Sequence, residues 1–270
     1  MIRESIVAGQ FYPSRASDLD SFFSSIIINS EEAEEAIAII APHAGYPYSG
    51  KIAAKAYTSV VVPDNIVILG PNHTGRGTTI SVFEKGAWIT PYGQVKINEE
   101  FTASLIEKAS PAKSDINAHL YEHSIEVQLP FLQYTCKDKN NLKIIPVAIS
   151  EHRPENLKEF ALALAETIKE TQEKTLIVAS TDFSHYVPAD SAKEKDNICF
   201  KAIEELDEDK LWDEVHNRDI SMCGLPPVYV TLLTAKALGA SKGTLIAYGT
   251  SGDVTGNNTE VVGYGALSIK

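Results

Sequence analysis

The stretch Ile66-Val67-Ile68-Leu69-Gly70-Pro71-Asn72-His73-Thr74-Gly75 passes without a break from four apolar β-formers into a Gly-Pro turn that carries a histidine. A continuous apolar run suits a strand covered on both faces, as in a mainly parallel sheet. The Gly and Pro residues end the strand and let backbone come close to a ligand. Two other stretches repeat the pattern: Ala36-Ile37-Ala38-Ile39-Ile40-Ala41 leads into Pro42-His43-Ala44-Gly45-Tyr46, and Leu176-Ile177-Val178-Ala179 into Ser180-Thr181-Asp182-Phe183-Ser184-His185-Tyr186. Apolar runs at 142–149, 244–248 and 261–269 complete the strand set. Helical periodicity lies between them. One helix follows Ser49 through Ala56 and Val60, and another follows Pro154 with Leu157, Phe160, Leu164 and Ile168 on one face. A third is started by Pro226-Pro227 and stopped by Gly239, and Ser17-Asp18-Leu19-Asp20 reads as a capping box ahead of Phe22, Phe23 and Ile26. The segment 78–95, with Trp88, Pro91 and Gly93, reads as an irregular hairpin. With no repeat or long linker, the expected fold is α/β, one domain over 1–270 with a central mainly parallel or mixed sheet flanked by helices.

Composition narrows the function classes. Lys plus Arg number 24 against 36 Asp plus Glu, a formal net charge of -12, which opposes a broad phosphate-binding face and argues against nucleic acid as a partner. The apolar runs are far shorter than the ~20 residues a bilayer demands, so no membrane span is expected. Met1-Ile2-Arg3-Glu4-Ser5 leads into no apolar leader, and the cysteines Cys136, Cys199 and Cys223 are odd in number, so a reducing cytoplasmic setting is expected. The acidic groups Glu31-Glu32-Glu34-Glu35 and Asp207-Glu208-Asp209 lack calcium-loop spacing and read as solvated faces.

The chemistry concentrates at the strand ends. In a parallel sheet all strand C-termini open on one crevice, so His43, His73 and His185 are expected to converge although scattered in sequence. One such histidine alone reads as a hydrogen-bonded core residue, whereas three at equivalent strand ends read as metal ligands or general bases. Ser221-Met222-Cys223-Gly224-Leu225-Pro226-Pro227 places Cys223 before a helix N-terminus, which favours thiolate, although a buried inert thiol fits the same residues. His119-Leu120-Tyr121-Glu122-His123 matches H-x-x-E-H formally, but Leu129-Pro130 limits any helix there. His123 and Glu126, three apart, read better as groups that hold a ligand or move a proton. No Walker A loop, G-x-G-x-x-G or G-x-S-x-G motif is present.

Together, Pro42-His43-Ala44-Gly45-Tyr46, Gly70-Pro71-Asn72-His73, Glu122-His123-Ser124-Ile125-Glu126, Asp182-Phe183-Ser184-His185 and Cys223-Gly224 resemble the motif set of the Memo family, which includes the Memo-like component of the AmmeMemoRadiSam system. The match runs from Ala8-Gly9-Gln10-Phe11-Tyr12-Pro13 to the last strand. The resemblance implies a fold similar to class III extradiol dioxygenases. It implies metal binding by His43, His73 and Cys223, with His185, Asp182 and His123 as catalytic groups lining the same pocket. Tyr46, Asn72 and Glu126, within the same motifs, are the expected substrate contacts. Where extradiol enzymes use a carboxylate, Cys223 stands here, which shifts the expected cofactor toward iron or copper, with zinc as an alternative. The expected activity is dioxygenase-like oxidation, the rivals being a zinc hydrolase and a non-catalytic binding protein. The expected ligand is a small molecule or peptide, and the expected partners are components of the AmmeMemoRadiSam system.

Overall fold

The computed structural model describes residues 1–27 and 33–270. Its strands are β1 (Ile2–Arg3), β2 (Ala38–Ala41), β3 (Asn65–Pro71), β4 (Ile80–Val82), β5 (Ala87–Thr90), β6 (Gly93–Ile97), β7 (Lys113–Ser114), β8 (Lys143–Ile149), β9 (Thr175–Ser180), β10 (His185–Val187), β11 (Gly243–Thr250) and β12 (Val261–Ile269). They form one sheet in the order β1-β5-β6-β8-β3-β9-β2-β12-β10, with β11 on β12, the short β4 beside β8, and β7 on β4. The centre, β8-β3-β9-β2, is parallel throughout, while β12 runs antiparallel to β2 and β11 antiparallel to β12. The sheet is therefore mixed. The hairpin expected over 78–95 is shorter than the sequence suggested: β5 and β6 pair antiparallel, but β4 leaves them to join β8.

Strand periodicity divides the core. Ile39, Ile66, Ile68 and Val178 face one way and pack against α1 (Ala16–Ile26), α2 (Tyr46–Thr58) and α4 (Leu129–Thr135). Ile40, Val67, Leu69 and Ile177 face the other way, toward α3 (Glu99–Lys108), α5 (Pro154–Thr171), α6 (Ala189–Glu204), α7 (Glu208–Asn217) and α8 (Leu225–Ala237). A short α9 (Gly252–Thr255) joins β11 to β12. Helix α8 is apolar nearly all round and correspondingly buried, which fixes the loop that precedes it. No helix is long and apolar enough to cross a membrane among the described residues.

Several local boundaries differ from the sequence reading. Helix α1 starts at Ala16 with Arg15 as N-cap, and Asp18 pairs with Arg15 at 2.9 Å, so the expected capping box does not form. Helix α2 starts at Tyr46, three residues before Ser49, because Pro47 is preorganised for a first turn. Leu129-Pro130 opens α4 for the same reason, and 119–125 is not helical. Of the acidic cluster, Glu31 and Glu32 lie outside the described residues, while Glu34 pairs with Lys270 and Glu35 with Lys174 at the surface. Asp207 caps α7 by accepting from the Lys210 N–H at 2.9 Å.

One buried ion pair ties the N-terminus to the loop 119–128. Arg3 Nη1 donates to Glu126 Oε2 at 2.7 Å, Nε donates to the His119 carbonyl at 2.7 Å, and Nη2 to the Glu122 carbonyl at 2.7 Å. The guanidinium also lies 4.0 Å over the Trp88 ring. Glu126 further accepts from the Tyr12 hydroxyl at 2.8 Å and from the Ile6 and Val7 N–H groups at 3.0 and 3.1 Å. Its carboxylate is fully occupied and fully buried. The expected role of Glu126 as a substrate contact is thereby overturned. Glu126→Ala leaves a guanidinium buried without its counter-charge and should destabilise the fold by about 3–5 kcal/mol, read as a lower urea midpoint. A midpoint that does not move would show the pair to be dispensable.

His119, at the start of that loop, is sealed in apolar surroundings. Its Nε2–H donates to the Ser81 carbonyl at 3.0 Å, and its ring meets Phe83 and Trp88 edge-on at 5.5 and 5.8 Å. Burial lowers its pKa to about 4. The unfolded imidazole titrates at ~6.5, so between these values the unfolded state binds the extra proton. The contribution of neutral His119 is complete above about pH 6.5 and declines by about 3 kcal/mol as pH falls toward 4. Urea unfolding at pH 7 and pH 4.5 should show this loss in the native sequence and a shallower loss in His119→Gln. Identical pH slopes for the two would contradict it.

Candidate metal centre

Register aligns the three loops. Ala41 pairs with Ser180 and Leu69 with Ala179, so β2, β3 and β9 end in one row and release His43, His73 and Asp182 at the same sheet edge. Cys223 reaches that edge from much later in the chain, on the loop that leads into α8. Gly224 is needed there, since a Cβ at this position would stand 2.3 Å from Thr181 Cβ. One ligand atom from each of His43, His73 and Cys223 lies within 4.8 Å of the others. Cys223 Sγ is 3.3 Å from His43 Nε2 and also accepts the Asp182 backbone N–H at 3.3 Å.

The hydrogen bonds behind these rings fix which nitrogen faces the cluster. Ser180 Oγ has one proton and donates it to the Ser124 carbonyl at 2.7 Å. It must therefore accept at 2.9 Å from His43 Nδ1–H, as it does at 2.9 Å from Gln128 Nε2. His43 thus turns the lone pair of Nε2 toward the sulfur. Glu122 does the same for His73: its Oε1 accepts from Nδ1 at 3.0 Å and its Oε2 accepts the His73 N–H at 2.6 Å, leaving Nε2 free. Glu122 Oε1 also accepts the N–H groups of His123 and Ser124, each at 2.9 Å. This carboxylate-histidine pairing is the arrangement that orients metal-binding imidazoles.

The electrostatics follow from burial and from these donors. Burial, reinforced by neighbouring imidazoles, pushes His43 well below the usual histidine range. For Glu122, burial opposes ionisation, but the bonds from His73 and from backbone outweigh it and lower its pKa to about 2. Burial opposes charge on His73 too, yet the Glu122 bond raises its pKa. Burial raises Asp182, and burial with the Asp182 charge raises the Cys223 thiol. The thiolate that the helix N-terminus was expected to favour is thus opposed by desolvation.

The remaining site residues separate clearly. His123 joins the cluster, stacked 5.0 Å on His73 at 18° and backed by Phe11 at 4.7 Å. Asp182 lies beside it, with Oδ1 accepting the His43 N–H at 2.9 Å and Oδ2 3.9 Å from His43 Nε2. Asp182 was expected to orient His185; instead His185 Nδ1 donates to the Ser221 carbonyl at 2.8 Å, and its N–H to Ser221 Oγ at 2.7 Å. Tyr46 is buried with its hydroxyl donating to the Val127 carbonyl at 2.7 Å, so it braces α2 instead of contacting substrate. Asn72 closes its own turn, donating to the Arg76 carbonyl at 2.7 Å and accepting from Thr74, and is not a free substrate contact. Cys136 and Cys199 are free thiols, Cys199 being buried in α6. His119 stays apart, so H-x-x-E-H makes no two-histidine site. Sequence reasoning missed Glu122, Ser180 and Gln128 as supports. Glu122 carried a signal in its adjacency to His123, whereas Gln128 carried none.

The family model for Memo-like proteins matches residues 3–268. The chain belongs to the Memo-like family. A MEMO1 family protein of Aquifex aeolicus is 44% identical over 264 residues, covering 97% of each chain. MEMO1 family proteins of Methanopyrus kandleri and Methanocaldococcus jannaschii are 39% and 40% identical, each covering 100% of this chain and 99% of their own. The fold is also similar to the crystal structure of an uncharacterized Escherichia coli K12 protein, with a TM-score of 0.55 at 17% identity over 84% of this chain and 98% of that one. At that identity the likeness concerns architecture alone.

The tautomers are directly measurable in this Memo-like chain. Nitrogen-15 NMR of the metal-free protein should find His43 with its proton on Nδ1 and Nε2 bare, and Ser180→Ala should disturb that assignment. A signal showing Nε2–H on His43 would refute the chain of bonds through Ser180.

Proposed function

We propose that this Memo-like protein is a metal-dependent oxidoreductase of the cytoplasm that holds one iron or copper ion through His43, His73 and Cys223 and oxidises a small organic ligand. The observation that carries this reading is the convergence of two imidazoles, each turned by its Nδ1 partner to offer Nε2, with one sulfur inside a 4.8 Å cluster. Two nitrogens and a soft thiolate suit copper, thiolate-ligated iron or zinc far better than a hard cation. When bound, such an ion supplies redox change and oxygen chemistry.

The other residues take roles set by their bonds. His185, with Nδ1 held by the Ser221 carbonyl, presents Nε2 as the group that takes or returns a proton. His123 is the second donor, packed on one ligand ring and partly open to solvent. Asp182 holds the backbone of His43 and the sulfur of Cys223 through opposite ends of the same residue, and so spaces two ligands. Glu122 keeps His73 in one tautomer.

Anaerobic titration with iron and with copper, followed by absorption spectroscopy, tests the assignment. A thiolate-to-metal charge-transfer band should appear in the native sequence and vanish in Cys223→Ser, with a large loss of affinity. Glu122→Gln should weaken binding by about 10–100-fold while keeping the band. Unchanged affinity in Cys223→Ser would remove the sulfur from the ligand set, and tight zinc binding with no redox-ion band would turn the reading to hydrolysis.

A further inference from the structure

The chain has five arginines, and four are paired with carboxylates: Arg3 with Glu126, Arg15 with Asp18, Arg153 with Glu151 and Arg218 with Glu214. Arg76 is different. Among the described residues it meets no carboxylate, in a protein whose net charge is -12. Its guanidinium instead lies 4.6 Å over the ring of Tyr121, which is 62% exposed. A guanidinium stacked on an aromatic face keeps its in-plane N–H donors at the edge, where they fit the two oxygens of a carboxylate or phosphate.

The position of this pair gives it a purpose. Arg76 and His73 share one loop, and Asn72 ties that loop shut by accepting from Thr74 N–H and Oγ at 3.1 and 2.8 Å and donating to the Arg76 carbonyl. On the other side Gly77, at φ 77°, sits where a Cβ would stand 2.3 Å from Asp115 Oδ2, while that oxygen accepts the Thr78 N–H at 2.6 Å. Both carboxylate oxygens of Asp115 are engaged, the other by the Asn117 N–H at 2.7 Å. Tyr121 immediately precedes Glu122, which orients His73. The backbone that presents the arginine and the backbone that presents its aromatic support are thus the same segments that fix one side of the cluster. Such presentation limits the ordering that a bound anion would otherwise impose.

We propose that Arg76, backed by Tyr121, is the anion-recognising residue of this site, so that the ligand carries a carboxylate or phosphate oxyanion next to the part that reaches His43, His73 and Cys223. The proposal rests on reading that cluster as the reactive centre, and the test keeps the two apart. In metal-free protein, where an anion has no ion to bind, inorganic phosphate, acetate and neutral acetamide are titrated while the Arg76 Nε–H resonance is followed by NMR. Phosphate or acetate should give a saturable shift at millimolar concentration, the tighter of the two naming the oxyanion, and acetamide should give none. In Arg76→Gln, followed through neighbouring backbone amides, affinity should drop about tenfold or more, with Tyr121→Leu in between, while iron and copper titrations stay as in the native sequence. Equal affinity in Arg76→Gln and the native sequence, absence of any saturable shift, or equal binding of acetamide would overturn the proposal. None of these depends on the Cys223→Ser result, which judges the cluster alone.

Discussion

The buried ion pair between Arg3 and Glu126 sets the position of everything on the loop 119–128. Two of its guanidinium nitrogens hold carbonyls of that loop, and the opposing carboxylate gathers three more donors from the first dozen residues. Desolvating two charges costs several kcal/mol, which is recovered only when the remaining donors and lone pairs are engaged, and here each guanidinium nitrogen donates and both carboxylate oxygens accept. The loop is thus rigid for a reason remote from the cluster. That rigidity places Glu122 behind His73, the Ser124 carbonyl in front of Ser180, and Gln128 on the Ser180 hydroxyl.

From there a chain of single-proton constraints reaches the cluster of His43, His73 and Cys223. A serine hydroxyl that gives its only hydrogen to a carbonyl can offer a histidine nothing but a lone pair, and the histidine must respond by placing its own proton inward. The ring then faces the cleft unprotonated without any charge having been moved. Burial works in the same direction on His43, disfavouring the imidazolium. The sulfur is treated oppositely: burial opposes the thiolate, and only a positive neighbour would reverse that.

Much of this was readable in the residues. The unalternating runs 66–69 and 176–179 announced strands covered on both faces, and the Gly and Pro residues after them announced turns at one edge. Antiparallel pairing of the last two strands was not readable, because a fully buried antiparallel strand is as continuously apolar as a parallel one. Tyr46, Asn72 and Glu126 misled for a simple physical reason: closeness to a cluster histidine in sequence says nothing about which way a side chain turns. Tyr46 turns into the α2 core, Asn72 back onto its own loop and Glu126 toward Arg3. The partner of His185 was equally hidden, since Ser221 lies 36 residues away and contributes a backbone carbonyl, which no side-chain pattern advertises.

His43 and Cys223 are 180 positions apart, although their side chains touch. During synthesis the imidazoles emerge well before the sulfur. A chain made only to residue 222 carries both imidazoles, and Glu122 and His123 beside them, but not the sulfur. The three-group cluster therefore exists only once the ends of β2 and β3 and the loop that leads into α8 have come together.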